Sequence, residues 1–252
     1  MRPFTPDPET PMNARAPLVS VVMPVFNRAH LVPRAARSIL NQTLDDLELI
    51  VVDDGSEDEG VRLLEELADS RLRICRLPVN CGVATARNAG LRLTRGQFIA
   101  VMDSDDEARP ERLERQVDFL EREPDVQVLG TRASKRQDAV VIDMKHPLRD
   151  GVIKALLARI DGSSMIHPTS MMRRRFLVGE GISYPPTGVD DDYGLWLRIM
   201  KSGGDFATLP ETLLDYHRHD TNVTAHLDAL ALRWKARLRR EILAAQLPDL
   251  RG

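Results

Sequence analysis

The first hundred residues alternate short apolar runs with amphipathic segments, and this alternation constrains the fold more than any other feature. The apolar runs are rich in Val, Ile and Leu and predict strands, whereas the segments between them carry apolar residues at helical spacing. The predicted strands span 18–23, 47–52, 71–77 and 98–102, and the predicted helices span 30–42, 61–68 and 84–93. This alternation is typical of an α/β fold, in which helices flank a central, mostly parallel sheet.

The second half of the chain is less regular, and we interpret it as a continuation of the same domain. Helices are predicted at 110–121, 149–160 and 190–204, and strands at 126–130, 139–144, 164–172, 205–209 and 213–219. We expect one domain over 17–223, divided into halves at 109/110, after a disordered, Pro-rich lead-in over 1–16. Residues 224–252 form a C-terminal segment, with a basic amphipathic helix predicted over 224–247.

Charge and cysteine content exclude several classes of protein. The 252 residues carry a formal net charge of −3, which gives no footprint for nucleic-acid binding. Cys75 and Cys81 lack the spacing of metal ligands, and no apolar stretch reaches the roughly 18 residues of a membrane span. We therefore expect a reduced, cytoplasmic protein that binds no nucleic acid.

Two of the predicted parallel strands end on acidic residues. Asp53 and Asp54 follow the second strand, and "DSDD" (103–106) follows the fourth. Like charges this close repel one another, so we expect a positive partner there. Asp103 and Asp105 are spaced to aim at one point, as hard oxygen ligands of Mg²⁺ or Mn²⁺. The alternative is a solvated acidic turn that caps the following helix, but ligands bind beyond the carboxyl ends of such strands, where both acidic ends would meet.

The chain resembles the family 2 glycosyltransferases, which have the GT-A fold. The resemblance begins with "VSVVMPVFNRAHLVPRAARSILNQTLDDLELIVVDDGSEDEG" and continues with "GVATARNAGLRLTRGQFIAVMDSDDEARPERL". It extends through "HPTSMMRR", "DDDYGLWLR" and "YHRHDTNVT", so that it covers roughly residues 18–224. It implies an enzyme that transfers a sugar from a nucleotide diphosphate donor to an acceptor hydroxyl. Residues 17–109 would then bind the nucleotide, and 110–223 would hold the acceptor and the catalytic groups.

The resemblance also assigns residues to the donor site. Asp105, with Asp103 and His219, would hold Mn²⁺ or Mg²⁺. Uracil or thymine offers an N–H to Asp54 or Asp53, which favours a UDP-sugar. The residues assigned to the nucleotide and its diphosphate are Pro24, Phe26, Asn27, Asp53, Asp54, Gly82, Arg87, Asp103 and Ser104.

The acceptor side is assigned in the same way. Asp192 would be the catalytic base of a single displacement with inversion, and Asp191 stands where the family has Glu. Gly194 stands where the family commonly has an acid, which leaves the choice of donor sugar open. His167, Arg218 and Trp196 would lie beside the sugar and the acceptor. Asp190, Asp191 and Asp192 could instead cap a helix, and His167 could be a satisfied core histidine.

Two other functions remain open from the sequence. A sugar-1-phosphate nucleotidyltransferase would need a Gly-rich phosphate loop after the first strand, where this chain has "MPVFNRAH". A non-catalytic nucleotide-sugar-binding protein would lack the base. The resemblance favours an enzyme of cell-surface glycan or polysaccharide synthesis with a glycan or lipid-linked acceptor. The predicted helix over 224–247 would then contact the inner face of the membrane peripherally, or pack on the domain or on a second subunit as a homodimer.

Overall fold

The computed structural model describes residues 15–137, 140–159, 164–185 and 191–217. Arg218, His219, Asp190, the lead-in up to residue 14 and the segment 224–252 lie outside the described residues. The strands are β1 (Val19–Val25), β2 (Leu47–Asp53), β3 (Leu72–Arg76), β4 (Phe98–Val101), β5 (Glu107–Ala108), β6 (Val126–Gln137), β7 (Val140–Met144), β8 (Met171–Arg173) and β9 (Asp205–His217). The helices are α1 (Val32–Leu40), α2 (Gly60–Glu65), α3 (Val83–Leu93), α4 (Arg112–Arg122), α5 (Asp150–Ala158), α6 (Arg174–Gly179) and α7 (Asp191–Lys201).

These strands form a single sheet in the order β3-β2-β1-β4-β8-β6-β9-β5, with β7 paired to β6. The strands β3, β2, β1 and β4 are parallel, as the alternation of the first half predicts. Beyond β4 the sheet is mixed, because β8 runs antiparallel to both β4 and β6, whereas β6 and β9 are parallel. The predicted α/β fold with helices on a mostly parallel sheet is confirmed.

The core lies on both faces of this sheet. Val19, Val21 and Met23 of β1 share one apolar cluster with α1, α2 and α4. Val22 points to the opposite face and shares a second cluster with α3, α5 and α7. Because both faces are covered, β1, β2 and β4 are buried along their length and read in the sequence as continuous apolar runs.

β1 continues through Pro24, where the sequence predicts its end. The Val22 carbonyl accepts a hydrogen bond from the N–H of Met102 on the β4 side, and the Val25 carbonyl accepts one from the N–H of Asp54 on the β2 side. Because the backbone groups of successive residues point to alternate neighbours, the backbone nitrogen of Pro24 points to the β4 side, where β4 has already ended at Val101. No ladder bond is lost to the missing N–H, so the strand extends to Val25.

Three other predicted elements are wrong in detail. In place of the strand expected over 164–172, the structure has the shorter β8 (Met171–Arg173), because His167–Thr169 makes a 3-10 turn around Pro168. The two short strands expected after residue 204 are one strand, β9, with a bulge at Pro210 and Glu211. There the partner in β9 jumps from Leu209 to Thr212, so the proline needs no partner in β6. No sequence pattern predicts β5 or α6.

Among the helices of the described residues, none combines the length and the apolar composition that a membrane-spanning segment needs.

Gly90 sets how closely α3 approaches β1. A Cβ at this position would lie 2.4 Å from Cγ1 of the buried Val22. We expect Gly90→Ala to lower the free energy of unfolding by about 1–3 kcal/mol, since the added methyl group overpacks the core. Urea denaturation measures this loss. Gly151→Ala, a helical glycine of α5 whose added Cβ meets nothing within 4 Å, is the control and should raise the unfolding free energy by about 0.4–1 kcal/mol. Equal stability of Gly90→Ala and wild type would contradict the close packing.

Candidate active site

The acidic strand ends predicted from the sequence lie at one edge of the sheet. β2, β1 and β4 are neighbours and run parallel, so their carboxyl ends meet at the same side. This edge carries Phe26 and Asn27 after β1, Asp53 and Asp54 at the end of β2, and Asp103 to Asp106 after β4. In sheets of this kind, ligands bind outside the carboxyl ends of the strands.

Asn27 ties the loop after β1 to the loop after β2. Its backbone N–H donates to Oγ of Ser56 at 2.9 Å, and its Oδ1 accepts from the N–H of Glu57 at 2.9 Å. Its φ of 51° is in the left-handed region, which Asn tolerates better than most residues. Phe26, beside it, is 40% exposed and Pro24 is buried. The aromatic face of Phe26 is therefore available at the edge, whereas Pro24 offers mainly backbone.

Asp53 and Asp54 are both buried and both hold loops. Oδ1 of Asp53 accepts a hydrogen bond from the N–H of Ser56 at 2.9 Å. The two oxygens of Asp54 accept from the N–H groups of Cys81 and Gly82, each at 2.8 Å. Their contact with a nucleotide base stays a prediction, and the structure adds that they shape the loops around the edge.

Gly82 is the N-cap residue immediately before α3 and has a φ of 88°, a conformation that favours glycine. A Cβ there would meet no described protein atom within 4 Å, so the space in front of this residue is open. The helix that follows carries Arg87 and Asn88 on its buried side. Asp54 therefore fixes the start of the helix that brings Arg87 to the acidic strand end.

The acidic strand end is a cluster of three carboxylates. Asp103, Asp105 and Asp106 each offer an oxygen, and these oxygens lie within 4.8 Å of one another. Nη2 of Arg87 donates to Oδ1 of Asp103 at 2.8 Å, and Nη2 of Arg34 donates to the backbone carbonyl of Asp105 at 3.1 Å. Ser104, between the first two acids, is buried. The positive partners expected from the crowding of charges are therefore arginines.

Asp106 and Arg112 are site residues that sequence reasoning missed. Burial, followed by the negative charges of Asp103 and Asp105, raises the pKa of Asp106 well above its ordinary value. Arg112 is fully buried beneath the cluster, and burial lowers its pKa to about 10 although Asp106 and Asp103 oppose that shift. Its Nη2 donates to the Val101 carbonyl at 2.7 Å. The only signal was the third acid of "DSDD", because burial of an arginine leaves no local sequence pattern.

The cluster fits a hard divalent cation. Carboxylate oxygens are the ligands that Mg²⁺ and Mn²⁺ prefer, and three of them converge here. One oxygen of Asp106 accepts from the N–H of His217 at 3.0 Å, and the other is buried with no hydrogen-bond partner among the described residues. A buried carboxylate oxygen without a donor is costly, and a cation would satisfy it. Asp103, Asp105 and Asp106 are thus the described residues that would hold a metal.

A histidine does approach the cluster from β9, but it is His217. Its Nε2 lies 3.1 Å from Oε1 of Glu107, which in turn lies 3.2 Å from Nε of Arg34. His219, to which the resemblance assigns a metal contact, stands two residues later and outside the described range. Its role stays a prediction, as does that of Arg218.

His167 and Trp196 are core residues in this structure. Nε2 of His167 lies 2.9 Å from the hydroxyl of Tyr184, and its ring contacts that of Trp196 at a centroid distance of 5.7 Å. Trp196 is 2% exposed and also packs edge-on against Phe206. The structure therefore buries both side chains, which were expected beside the sugar and acceptor, because α7 turns its apolar face toward the sheet.

Asp191 and Asp192 begin α7, as predicted from the acidic start of that segment. Asp192 is partly exposed, and its Oδ1 accepts a hydrogen bond from the N–H of Tyr193 at 2.7 Å. A carboxylate at a helix N-terminus is stabilised by the helix dipole. This position is compatible with both helix capping and a base at the edge of the site.

A parallel sheet with an acidic cluster at its carboxyl edge is typical of an α/β enzyme that acts on a ligand bound there. Residues 20–181 match the family model described as Glycosyl transferase family 2. This match covers more than half of the chain, so the chain belongs to that family and is a glycosyltransferase. A curated relative is the succinoglycan biosynthesis protein ExoO of Rhizobium meliloti (strain 1021), 29% identical over 244 residues, which are 91% of this chain and 70% of that protein.

Solved structures support the fold. The S. aureus TarS fragment 1–349 in complex with UDP-GlcNAc aligns with a TM-score of 0.74 at 18% identity, over 92% of this chain and 73% of that one. The mannosyltransferase PcManGT from Pyrobaculum calidifontis, in complex with GDP-Man and Mn²⁺, aligns with a TM-score of 0.63 at 18% identity, over 98% of this chain and 78% of that one. The predicted GT-A fold is thereby confirmed.

Burial of His167 makes the stability of the protein depend on pH. Burial, followed by the positive charge of Arg87, lowers the pKa of His167 well below its ordinary value. Below about pH 6.5 the unfolded chain therefore binds a proton that the folded chain does not, and stability falls as the pH decreases. We expect wild type to lose about 1 kcal/mol more unfolding free energy than His167→Gln between pH 7 and pH 5.5, measured by urea denaturation. Equal losses would show that the pKa of His167 is the same in the folded and the unfolded protein, and would contradict the lowered pKa.

Proposed function

We propose that this glycosyltransferase transfers a sugar from a nucleoside diphosphate donor to an acceptor hydroxyl, in a metal-dependent reaction that inverts the anomeric centre. The observation that carries the proposal is the cluster of Asp103, Asp105 and Asp106 at the carboxyl edge of the parallel strands. This cluster would repel a diphosphate unless a cation lay between them. A divalent cation bound between the carboxylates and the diphosphate would offset the negative charge of both groups.

The metal proposed is Mn²⁺ or Mg²⁺, held by Asp105 and Asp103, with Asp106 as a further ligand. When bound, such a cation neutralises the negative charge that grows on a leaving diphosphate. Arg87 holds the carboxylate of Asp103 through its 2.8 Å hydrogen bond. Arg112 supplies a permanent positive charge beneath the cluster, which reduces the repulsion among the three acids.

The proposed donor is a UDP-sugar, and the acceptor is a glycan. An acidic side chain at the end of β2 suits the N–H of uracil, and the TarS neighbour was solved with UDP-GlcNAc. PcManGT was solved with GDP-Man, so another base remains an alternative. The likeness to a succinoglycan biosynthesis protein supports a free or lipid-linked glycan acceptor in polysaccharide synthesis. Peripheral membrane contact or dimerisation through residues 224–252 stays a prediction.

Asp192 is the proposed catalytic base. Its carboxylate would take the proton of the acceptor hydroxyl as the hydroxyl oxygen attacks the anomeric carbon. The new carbon–oxygen bond forms on the face opposite the diphosphate, whose bond to the same carbon breaks, so the configuration inverts. The partial exposure of Asp192 at the start of α7 supports this role, because a base must reach solvent-borne substrate.

Asp105→Ala tests the metal assignment. We expect Mn²⁺-dependent UDP binding to weaken by more than about 100-fold, since losing a ligand should cost at least as much as losing a residue behind one. Isothermal titration calorimetry with and without Mn²⁺ measures the change. Asp118→Ala, which removes an exposed acid of α4, is the matched control and should bind as wild type does. Unchanged binding by Asp105→Ala would exclude the metal site.

Asp192→Asn tests the base. We expect donor binding to persist while kcat falls by at least about 10²-fold, the lower end for a positioned general base. Sugar transfer from a UDP-sugar panel, with Asp191→Asn assayed in parallel, measures it. Full activity of Asp192→Asn with an inactive Asp191→Asn would move the base by one residue. Full activity of both would contradict the single displacement.

A further inference from the structure

A buried series of contacts leads from α7 to the acidic cluster. We call the four side chains Arg87, Tyr184, His167 and Trp196 the Tyr184 series. Trp196 contacts His167, and Nε2 of His167 lies 2.9 Å from the Tyr184 hydroxyl. The guanidinium carbon of Arg87 lies 5.6 Å from the centroid of the Tyr184 ring, and Nη2 of Arg87 reaches Asp103. The series therefore ends on a carboxylate of the cluster.

Tyr184 is the most constrained member of this series. It is 1% exposed, and its backbone exchanges two hydrogen bonds of 2.9 Å with the side chain of Asn88. Its ring packs edge-on against His167, with centroids 5.6 Å apart. Asn88 belongs to α3 next to Arg87, so the same helix holds the Tyr184 backbone and the guanidinium that lies over its ring. Tyr184 consequently has little freedom to move relative to Arg87.

The chemistry of the contacts suits a support for a cation. The charge of an arginine is attracted to the face of an aromatic ring, and this attraction is stronger when the pair is desolvated, as it is here. His167 is neutral in this setting, because burial and the Arg87 charge lower its pKa. A neutral imidazole can hold the tyrosyl hydroxyl without adding a second positive charge beside the guanidinium. Of the groups that the series links, only Asp103 is appreciably exposed, at the edge where the site opens.

We propose that Tyr184, held by His167, positions Arg87 against Asp103 and so orients the carboxylate that Asp103 presents to the diphosphate and metal. This inference rests on the proposed function for the identity of the ligand. Tyr184 and His167 are positioning residues that act through Arg87 and do not touch substrate. His167, expected from sequence beside the sugar, thus acquires a role on the donor side. Packing of Trp196 on His167 also links this support to the helix that carries Asp192.

The test compares two tyrosines that each lose one buried hydroxyl. Tyr184→Phe keeps the ring but loses the 2.9 Å hydroxyl contact with Nε2 of His167. Tyr193→Phe loses a 2.7 Å hydrogen bond to the Leu157 carbonyl in the same apolar cluster. Mn²⁺ affinity in the presence of UDP is measured well below the melting temperature of either variant. We expect Tyr184→Phe to weaken Mn²⁺ binding about tenfold, the lower end for a residue behind a metal ligand, whereas Tyr193→Phe keeps the wild-type affinity.

A second variant breaks the same contact from its other side. His167→Leu should weaken Mn²⁺ binding by the same factor as Tyr184→Phe, and the double variant should be no weaker than either single one. Wild-type affinity in Tyr184→Phe, or equal weakening in both tyrosine variants, would overturn the proposal. Wild-type protein is titrated first: if it shows no Mn²⁺-dependent UDP binding, the proposed function itself fails, and this inference with it.

Discussion

The repulsion among three carboxylates at the end of β4 is the constraint on which the rest of the site depends. Oxygens of Asp103, Asp105 and Asp106 lie within 4.8 Å, at distances where unit charges interact strongly in a partly buried setting. The fold offsets this repulsion with arginines from α1, α3 and α4. Burial and the neighbouring carboxylates also raise the pKa of Asp106, which favours a proton on that carboxyl when no cation is bound. Charge balance is therefore supplied by three separate helices.

The topology explains why those helices reach one point. Parallel strands deliver their carboxyl ends to one edge, and each following helix starts from that edge. α3 packs closely on β1 through Gly90, and this contact sets the height of Arg87 above the sheet. Beyond β4 the sheet is no longer all parallel, because β8 runs antiparallel to β4. The segment that follows β8 and α6 contributes Tyr184, which contacts Asn88 of α3. The acidic cluster lies where these two halves of the sheet meet.

Sequence patterns predicted the parallel half well, since β1, β2 and β4 are buried on both faces and carry unbroken apolar runs. They also predicted the acidic edge, because strand ends in a parallel sheet must meet. They failed where tertiary contacts decide the outcome. The bulge at Pro210 allows β9 to continue as one strand, and no local sequence pattern predicts this bulge. His167 and Trp196 carry polar atoms that suit a binding site, yet packing of α7 buries them. Arg112 could not be placed, since a fully buried arginine is recognised only from its surroundings.

Asp54 has a consequence for how alanine scanning of this surface should be interpreted. Both of its carboxylate oxygens accept backbone N–H groups at the start of α3, the helix that carries Arg87 and Asn88. Replacement of Asp54 would release that helix start as well as any base contact. Loss of activity in an Asp54 variant could therefore result from a shifted α3 as readily as from a lost ligand contact. At this position, a lost ligand contact and a shifted helix start would have the same effect on activity.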